Sequence, residues 1–195
     1  MNLYFVIIIA ALAFEFILSR ISGLLSIRSL EATLPEEFRD CYDQEKYKSS
    51  QDYTKTNEKF SLISDTFNFI LIMVVILLGL FNDLDIFVRQ MGYHSEIING
   101  LIFFGIMTLI QDVLSTPFSY YHHFVIEEKF GFNKMTLKTF LVDKLKGIFL
   151  MIILGIPIIS FILFFFESFG DKAWLWAWAV VSGFILILQP LFTTF

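Results

Sequence analysis

Long apolar runs alternate with polar segments along this chain of 195 residues. Four of these runs are uncharged or nearly so, and they predict membrane spans at about 61–81, 97–116, 147–166 and 173–195. A fifth run, 3–19, is interrupted by Glu15 alone. Because a helix needs about 20 mainly apolar residues to cross the hydrocarbon core of a bilayer, the pattern predicts an all-α membrane protein with about five transmembrane helices.

The third run is the internal span that needs an argument, because it contains Asp112. A carboxylate at a helix centre costs roughly 2.5–3.5 kcal/mol on the insertion scale, and each Leu, Ile, Phe or Val returns about 0.3–0.6 kcal/mol. Asp112 lies near the end of its run, so the apolar residues outweigh it. Ionisable groups at that depth usually face a cavity or a partner, so Asp112 either holds helices together or lines a chamber.

Composition agrees with lipid as the solvent of this chain. Hydrophobic residues make up 56% and charged residues 17% of the sequence, whereas soluble domains average about 45–50% and about 25%. A soluble fold of this length could not bury such a surplus. A pI of about 5.1 also argues against a nucleic-acid-binding protein.

The distribution of basic residues predicts the orientation of the spans. Of the 14 Lys and Arg residues, 12 lie in the first and third loops, which the positive-inside rule places in the cytoplasm. Five spans then leave the N-terminus outside and the C-terminus in the cytoplasm. The first run could be a signal peptide with a cleavage site near Ala11–Ala13, but no basic residue precedes it and Arg20 and Arg28 follow it. This polarity favours an uncleaved anchor.

Both cytoplasmic loops, 20–60 and 117–146, are expected to be largely helical. In the first, Thr33-Leu34-Pro35-Glu36 has the pattern of a helix start, and no Gly or Pro follows it before the second span. In the third, Pro117 is expected to end or kink a helix. Gly131 and Asn133 suit a turn, and Asn133 or Thr136 can cap an amphipathic helix that leads into the fourth span.

Two strings in these loops resemble one family. Phe124-Val-Ile-Glu-Glu-Lys-Phe-Gly-Phe-Asn133, followed by Thr136-Leu-Lys-Thr-Phe140 and Asp143, is similar to the N-terminal membrane domain of the CAAX prenyl endopeptidases. The first loop resembles the same family through Leu34-Pro35, Tyr42-Asp-Gln-Glu-Lys-Tyr47 and Tyr53-Thr-Lys55. The resemblance covers essentially the whole chain. It is nearer to bacterial members, which implies a bacterial inner membrane.

The resemblance implies an integral-membrane zinc metalloprotease whose helices surround a chamber, with hydrophobic or prenylated peptides as substrates. Such enzymes use H-E-x-x-H on a helix, in which two His hold zinc and the Glu activates water. Here the histidines are His94, His122 and His123, and none is followed by Glu. We therefore expect no catalytic or metal residue and no cofactor in this chain, which would be a fragment whose partners are the bilayer and a missing C-terminal catalytic domain.

The third loop supplies the candidate site residues. By the resemblance, residues 120–133 would edge the path of a peptide, and together with the intramembrane carboxylate this gives a set of nine: Asp112, Tyr120, Tyr121, Phe124, Glu127, Glu128, Phe130, Phe132 and Asn133. His123 and Glu127 are four residues apart and could share a helical face as metal ligands, but no third ligand is evident. Glu127 and Glu128 are adjacent, and adjacent helical residues point in different directions, so they are not expected to act together as general acid and base. A solvated or loop-bracing ion pair is the simpler interpretation, and contact with substrate or with the missing domain is the alternative.

Two other classes of function stand beside this hypothesis. The chain could be a non-catalytic scaffold or regulator that binds hydrophobic peptides or a full-length relative. It could also be a small transporter, although it shows no internal repeat and no matched pair of broken helices.

Overall fold

The computed structural model describes residues 2–30, 43–179, 182, 183 and 186, and all regular structure within these ranges is helical. Five α-helices succeed one another up to residue 169, namely α1 (Leu3–Ser29), α2 (Gln44–Leu77), α3 (Leu80–Gln90), α4 (Glu96–Tyr121) and α5 (Leu137–Phe169), and residues 173–179 are also α-helical. A π-helical segment, His122–Glu127, continues α4, and a 3₁₀ turn, Gly170–Lys172, follows α5. The predicted all-α class is confirmed.

Four of these helices are long and apolar enough to cross a bilayer: α1, α2, α4 with its π-helical extension, and α5. Their apolar side chains face outward. On α5, for example, Phe149 and Phe161 are 63% and 61% exposed. So much contiguous apolar surface would be unfavourable in water, whereas lipid chains solvate it.

The observed helices are longer than several of the predicted spans. α1 continues to Ser29 instead of ending near residue 19. α2 begins at Gln44, where Asp43 caps it by accepting hydrogen bonds from the N–H groups of Glu45 and Lys46. The helical arm of the first loop and the second span are therefore one helix, as predicted. The proposed helix start at residues 33–36 lies outside the described residues.

The far end of α2 also differs from the prediction. The second span was expected to reach residue 81, but α2 ends at Leu77 and Gly79 follows with a φ of 72°. A side chain with a Cβ rarely adopts that conformation, so glycine permits the chain to turn here. The short helix α3, which was not predicted, begins at Leu80 directly afterwards.

α3 is held to the start of α4 by charged groups. Arg89 donates hydrogen bonds to Asp85 at 2.8 Å and to Glu96 at 2.9 Å. These two bonds, that to Asp85 first, raise the pKa of Arg89 further above its already high value. The guanidinium therefore stays charged throughout the physiological pH range.

Pro117 lies inside α4 and does not end it. The predicted helix end is wrong, because the next residues remain helical to Tyr121 and then continue in π-helical form. Proline removes one backbone donor, and membrane helices tolerate this where nearby hydroxyls and local changes of helical pitch satisfy the backbone groups. The carbonyl that loses its donor at Pro117 is that of Val113, four residues earlier. In the same turn, Ser115 and Thr116 both donate to the neighbouring Asp112 carbonyl, at 3.0 and 2.6 Å.

The structure contains two compact units. The first comprises the described residues of Met1–Asp83 and Gln111–Met135, and the second those of Leu84–Ile110 and Thr136–Phe195. In the first unit α1 and α2 pack antiparallel: Phe16 stacks on Phe69 with ring centroids 4.0 Å apart, and Arg20 pairs with Asp65 at 2.8 Å. Gly23 permits the close approach, because a Cβ there would lie 3.1 Å from Leu62.

Within the second unit, α4 and α5 meet at Gly100. A Cβ on Gly100 would lie 2.5 Å from Cδ1 of Leu163, so the end of the Leu163 side chain would have to move to admit one. Nearby, the buried side chain of Asn99 donates to the Tyr93 carbonyl at 3.2 Å and ties the loop before α4 to its first turn. The predicted fifth span, 173–195, is helical at 173–179, 182, 183 and 186, and its other residues lie outside the described part of the chain.

Candidate functional site

The third loop begins as a continuation of α4 that changes helical pitch. Residues His122–Glu127 form a single π-helical turn, with hydrogen bonds that span five residues instead of four. Such turns are rare and occur frequently at functional sites. The wider turn changes which side chains share a face, so this segment presents a set of residues that an α-helix of the same sequence would separate.

Aromatic side chains attach this segment to α2 inside the first unit. Tyr121 stacks on Phe60, with ring centroids 5.2 Å apart. One turn earlier along α4, Phe118 contacts Phe67 with centroids 5.0 Å apart. His122 completes the contact by bonding through Nε2 to Oδ1 of Asn57 at 3.1 Å. The polar arm of α2, residues 44–60, therefore contacts the third loop. The sequence did not reveal this contact.

The loop then reverses at Gly131, which has a φ of 74°. The predicted turn is confirmed at this residue. Phe132 donates its backbone N–H to the Glu127 carbonyl at 2.9 Å, which closes the end of the helix. Asn133 accepts from the Met135 N–H at 2.7 Å, and Thr136, not Asn133, caps α5 by accepting from the Thr139 N–H.

Two of the predicted site residues flank this reversal and pack on one side chain. Phe130 and Phe132 both meet the ring of Tyr53 edge to face, with centroids 5.2 and 4.8 Å apart. Lys129 lies over the ring of Phe130 at 5.2 Å. Phe132 remains 58% exposed, so this small aromatic cluster has a free apolar face.

Between α2 and the end of α4 lies a cavity of about 480 Å³. Its walls are mainly apolar and belong to the first unit: Phe60, Ile63, Pro117, Phe118, Tyr121 and Ile126. Thr56 and Lys59 supply its polar lining. Cavities of roughly 300–1,000 Å³ with apolar walls and a few polar groups are typical of ligand sites.

The two acidic residues of the loop have separate partners, as their adjacency predicted. Glu127 lies beside both histidines, with its carboxylate oxygens 2.9 Å from Nδ1 of His123 and 3.5 Å from Nδ1 of His122. Glu128 instead accepts from the side-chain amide of Asn133 at 3.0 Å. Sequence spacing identified His123 with Glu127, whereas His122 joins them only because the turn is π-helical.

The remaining predicted site residues lie on α4 and its extension. Tyr120 stacks on Phe124 with centroids 4.9 Å apart, and both side chains are at least partly accessible. Asp112 is half-buried in α4, two turns before Tyr120. Tyr121, Phe130 and Phe132 therefore pack on aromatic rings of α2. Glu127 lies beside His122, which bonds to Asn57 of α2. Asp112 lies on the apolar part of α4.

The residues of this chain do not fit the zinc centre of a metalloprotease with an H-E-x-x-H helix. No histidine is followed by glutamate, and His94 lies in the loop before α4, outside the third loop. Within the described ranges, one group of three potential ligands is close enough to share an ion, namely His122, His123 and Glu127. Hydrolysis by a zinc-bound water cannot be derived from the residues present.

Comparison with known proteins agrees with the resemblance found in the loops. Residues 24–195 match the family model described as CAAX prenyl protease N-terminal, five membrane helices. The chain is 31% identical over 174 residues to CAAX prenyl protease 1 homolog of Dictyostelium discoideum, covering 83% of this chain and 41% of that protein. It is 32% identical to CAAX prenyl protease 1 of Saccharomyces cerevisiae, over 84% of this chain and 37% of that protein.

A solved structure shares the fold. The crystal structure of Ste24p from S. mikatae superposes with a TM-score of 0.84 at 29% sequence identity, and the match covers 98% of this chain and 44% of that one. The chain therefore spans about two fifths of the length of these relatives.

Proposed function

Because this chain belongs to the CAAX prenyl protease family, as its N-terminal membrane domain, we propose that it is the membrane half of a zinc metalloendopeptidase. Its helices form the chamber wall and its third loop contacts the substrate. Zinc and the H-E-x-x-H helix that holds it belong to a C-terminal catalytic domain, which is the proposed partner. No catalytic step is assigned to a residue of this chain.

The observation that carries this proposal is the apolar cavity beside the third loop. Its volume of about 480 Å³ and its walls of Phe60, Phe118 and Tyr121 suit a branched hydrocarbon chain, because burial of apolar area is the main favourable term for such a ligand. Lys59 supplies a cation at the same cavity. An apolar group attached to an anionic peptide end matches both features, which supports a hydrophobic or prenylated peptide as substrate.

The membrane topology of the proposal follows from charge. With 12 of 14 basic residues in the first and third loops, the positive-inside rule places the cavity on the cytoplasmic side and the N-terminus outside. A cytoplasmic C-terminus would deliver the catalytic domain to the same side as the cavity. The relatives named above are eukaryotic, so they give no support to the expected likeness to bacterial members. The bacterial inner membrane stays a prediction from the sequence.

A binding experiment tests the cavity. The chain in lipid nanodiscs is titrated with a fluorescent farnesylated peptide and with the same peptide lacking the farnesyl group. We expect the farnesylated peptide to bind more tightly, and Phe118→Ala to weaken it about tenfold, equivalent to about 1.4 kcal/mol. Phe149→Ala is the matched control, because it removes an exposed ring of α5. Equal affinity for both peptides, or equal loss in both variants, would show that the cavity is not the prenyl site.

A second experiment separates the enzyme half from the alternative of a non-catalytic scaffold. Peptidase activity is measured for the 195-residue chain and for the same chain extended along its reading frame. We expect cleavage only by the extended form. An extended form that binds the farnesylated peptide but cleaves nothing would favour the scaffold.

A further inference from the structure

The π-helical turn of the third loop gathers three potential metal ligands. His123 and Glu127 are four residues apart and share a face, while His122 and Glu127 are five apart, which is the spacing that a π-turn aligns. As a result Nδ1 of both histidines faces the Glu127 carboxylate, at 3.5 Å from one oxygen and 2.9 Å from the other. All three ligand atoms lie within 4.8 Å of one another.

The hydrogen bond to α2 determines which nitrogen of His122 is available. Oδ1 of Asn57 can only accept, so Nε2 of His122 must carry the proton in their 3.1 Å bond. In neutral His122 the other nitrogen, Nδ1, then carries the lone pair, and it lies 3.5 Å from a carboxylate oxygen of Glu127. Two acceptors at this distance repel each other, and a metal ion bound between them would remove the repulsion.

Several features favour the metal ion. A ligating histidine usually donates its second N–H to an oxygen that orients the ring, and Asn57 does this for His122. The two imidazoles and the carboxylate match the three-ligand sets that hold zinc with one position open. Their side chains are 23–34% exposed, so an ion can reach them. Tetrahedral zinc would need the ligand atoms about 3.4 Å apart, and the distances of 3.5 and 2.9 Å from the two histidine nitrogens to the Glu127 carboxylate are close to this value.

We propose that His122, His123 and Glu127 bind a divalent transition-metal ion, for which Zn²⁺ is the probe. Each histidine ligates through Nδ1, and the ring proton of His123 moves from Nδ1 to Nε2 when the ion enters. Through Asn57 the bound ion connects the π-turn to the polar arm of α2. The ion therefore stabilises the junction that also forms one wall of the apolar cavity.

The test is a titration of the metal-stripped chain with Zn²⁺ in detergent, followed by competition with a chromogenic chelator. We expect one equivalent to bind, and Co²⁺ to give the visible absorption of a four-coordinate site. His122→Asn, His123→Asn and Glu127→Gln should each abolish this binding. His94→Asn is the matched control, since it removes the remaining histidine of the chain and should leave the affinity unchanged.

A variant of Asn57 tests the orienting bond and guards against misfolding. Asn57→Ala should weaken Zn²⁺ binding about ten- to hundredfold, whereas Asn57→Asp, which still accepts from His122, should retain it. Thermal unfolding in EDTA should be similar for the wild type and the ligand variants, and added Zn²⁺ should raise the melting temperature of the wild type alone. Stoichiometric binding that persists in the ligand variants, or no binding by the wild type, would overturn the site.

Discussion

At the scale of single residues, glycine has two different uses in this protein. At Gly131 the backbone conformation favours glycine, because φ is 74°. Space is not the reason, since a Cβ there would meet no heavy atom within 4 Å. At Gly147, in α5, a Cβ would also meet nothing within 4 Å, and the backbone is ordinary helix. Because both positions have room for a side chain, a comparison of the two isolates the effect of the backbone conformation.

Gly131→Ala should destabilise the folded protein by roughly 1–2 kcal/mol, the cost of a left-handed conformation for a residue with a Cβ. Gly147→Ala should instead be neutral or stabilising, by up to about 1 kcal/mol. Both free energies of unfolding are measured by denaturant titration in mixed micelles. Equal effects of the two substitutions would contradict the assigned turn conformation.

Arg20 shows how one charged residue can join two helices. It pairs with Asp65, donates to Oγ1 of Thr66 at 3.2 Å and to the Leu62 carbonyl, and lies over the ring of Phe16 at 5.0 Å. From the sequence, Arg20 was read only as one of the basic residues that orient the first span. Its position on α1, facing α2, gives it a structural role as well.

Arg20→Ala should lower the free energy of unfolding by about 1.5–3 kcal/mol, because hydrogen bonds to a charged group are lost and Asp65 is left without this partner. The same denaturant titration measures the loss. Arg28→Ala, at an exposed position of the same helix, controls for the removal of positive charge. A similar loss in both variants would assign the effect to overall charge and not to the contact.

At the scale of elements, close helix packing depends on small residues. In membranes, helices associate mainly through packing and hydrogen bonds because lipid removes the hydrophobic driving force between them. Gly100 on α4 meets Leu163 of α5 so closely that a Cβ would lie 2.5 Å from Cδ1. Gly105, one and a half turns further along α4, has no heavy atom within 4 Å of the same position.

Gly100→Ala should therefore destabilise the α4–α5 contact by about 1 kcal/mol, because the new methyl group displaces the flexible end of Leu163, while Gly105→Ala should have no such cost. Adding Leu163→Ala to Gly100→Ala should restore part of the loss, because the truncated side chain leaves room for the new methyl group. Thermal unfolding of the three variants measures this. If the double variant is no more stable than Gly100→Ala, the clash is not the cause.

At the scale of the whole molecule, the charge distribution makes a topological prediction. In a background of Cys41→Ser, Ser95→Cys should react with a membrane-impermeant thiol reagent in intact cells, since its loop is expected outside. Lys134→Cys should react only after permeabilisation, because the third loop is expected in the cytoplasm. Gel shifts of the purified protein measure the labelling. The opposite pattern would reverse the proposed orientation and with it the side on which the cavity opens.

The sequence alone determined the class of the protein and most of its elements. Uncharged runs such as 147–166 are long enough to span a bilayer, and a span must be helical because lipid satisfies no backbone polar group. The loop strings around Glu127 identified the family. Local rules also located the turn at Gly131 and limited the cap of α5 to Asn133 or Thr136, because these depend on the conformation and hydrogen bonds of single residues.

Tertiary structure decided what the local rules do not contain. Pro117 lies inside a helix although proline alone favours a helix end. The chain turns after α2 and forms α3, and Arg20 joins α1 to α2, and both depend on how the helices are arranged in the fold. The change to π-helical pitch is of the same kind. It places His122 beside Glu127, which periodicity of 3.6 residues rules out, and so the ligand group exists only in the folded chain.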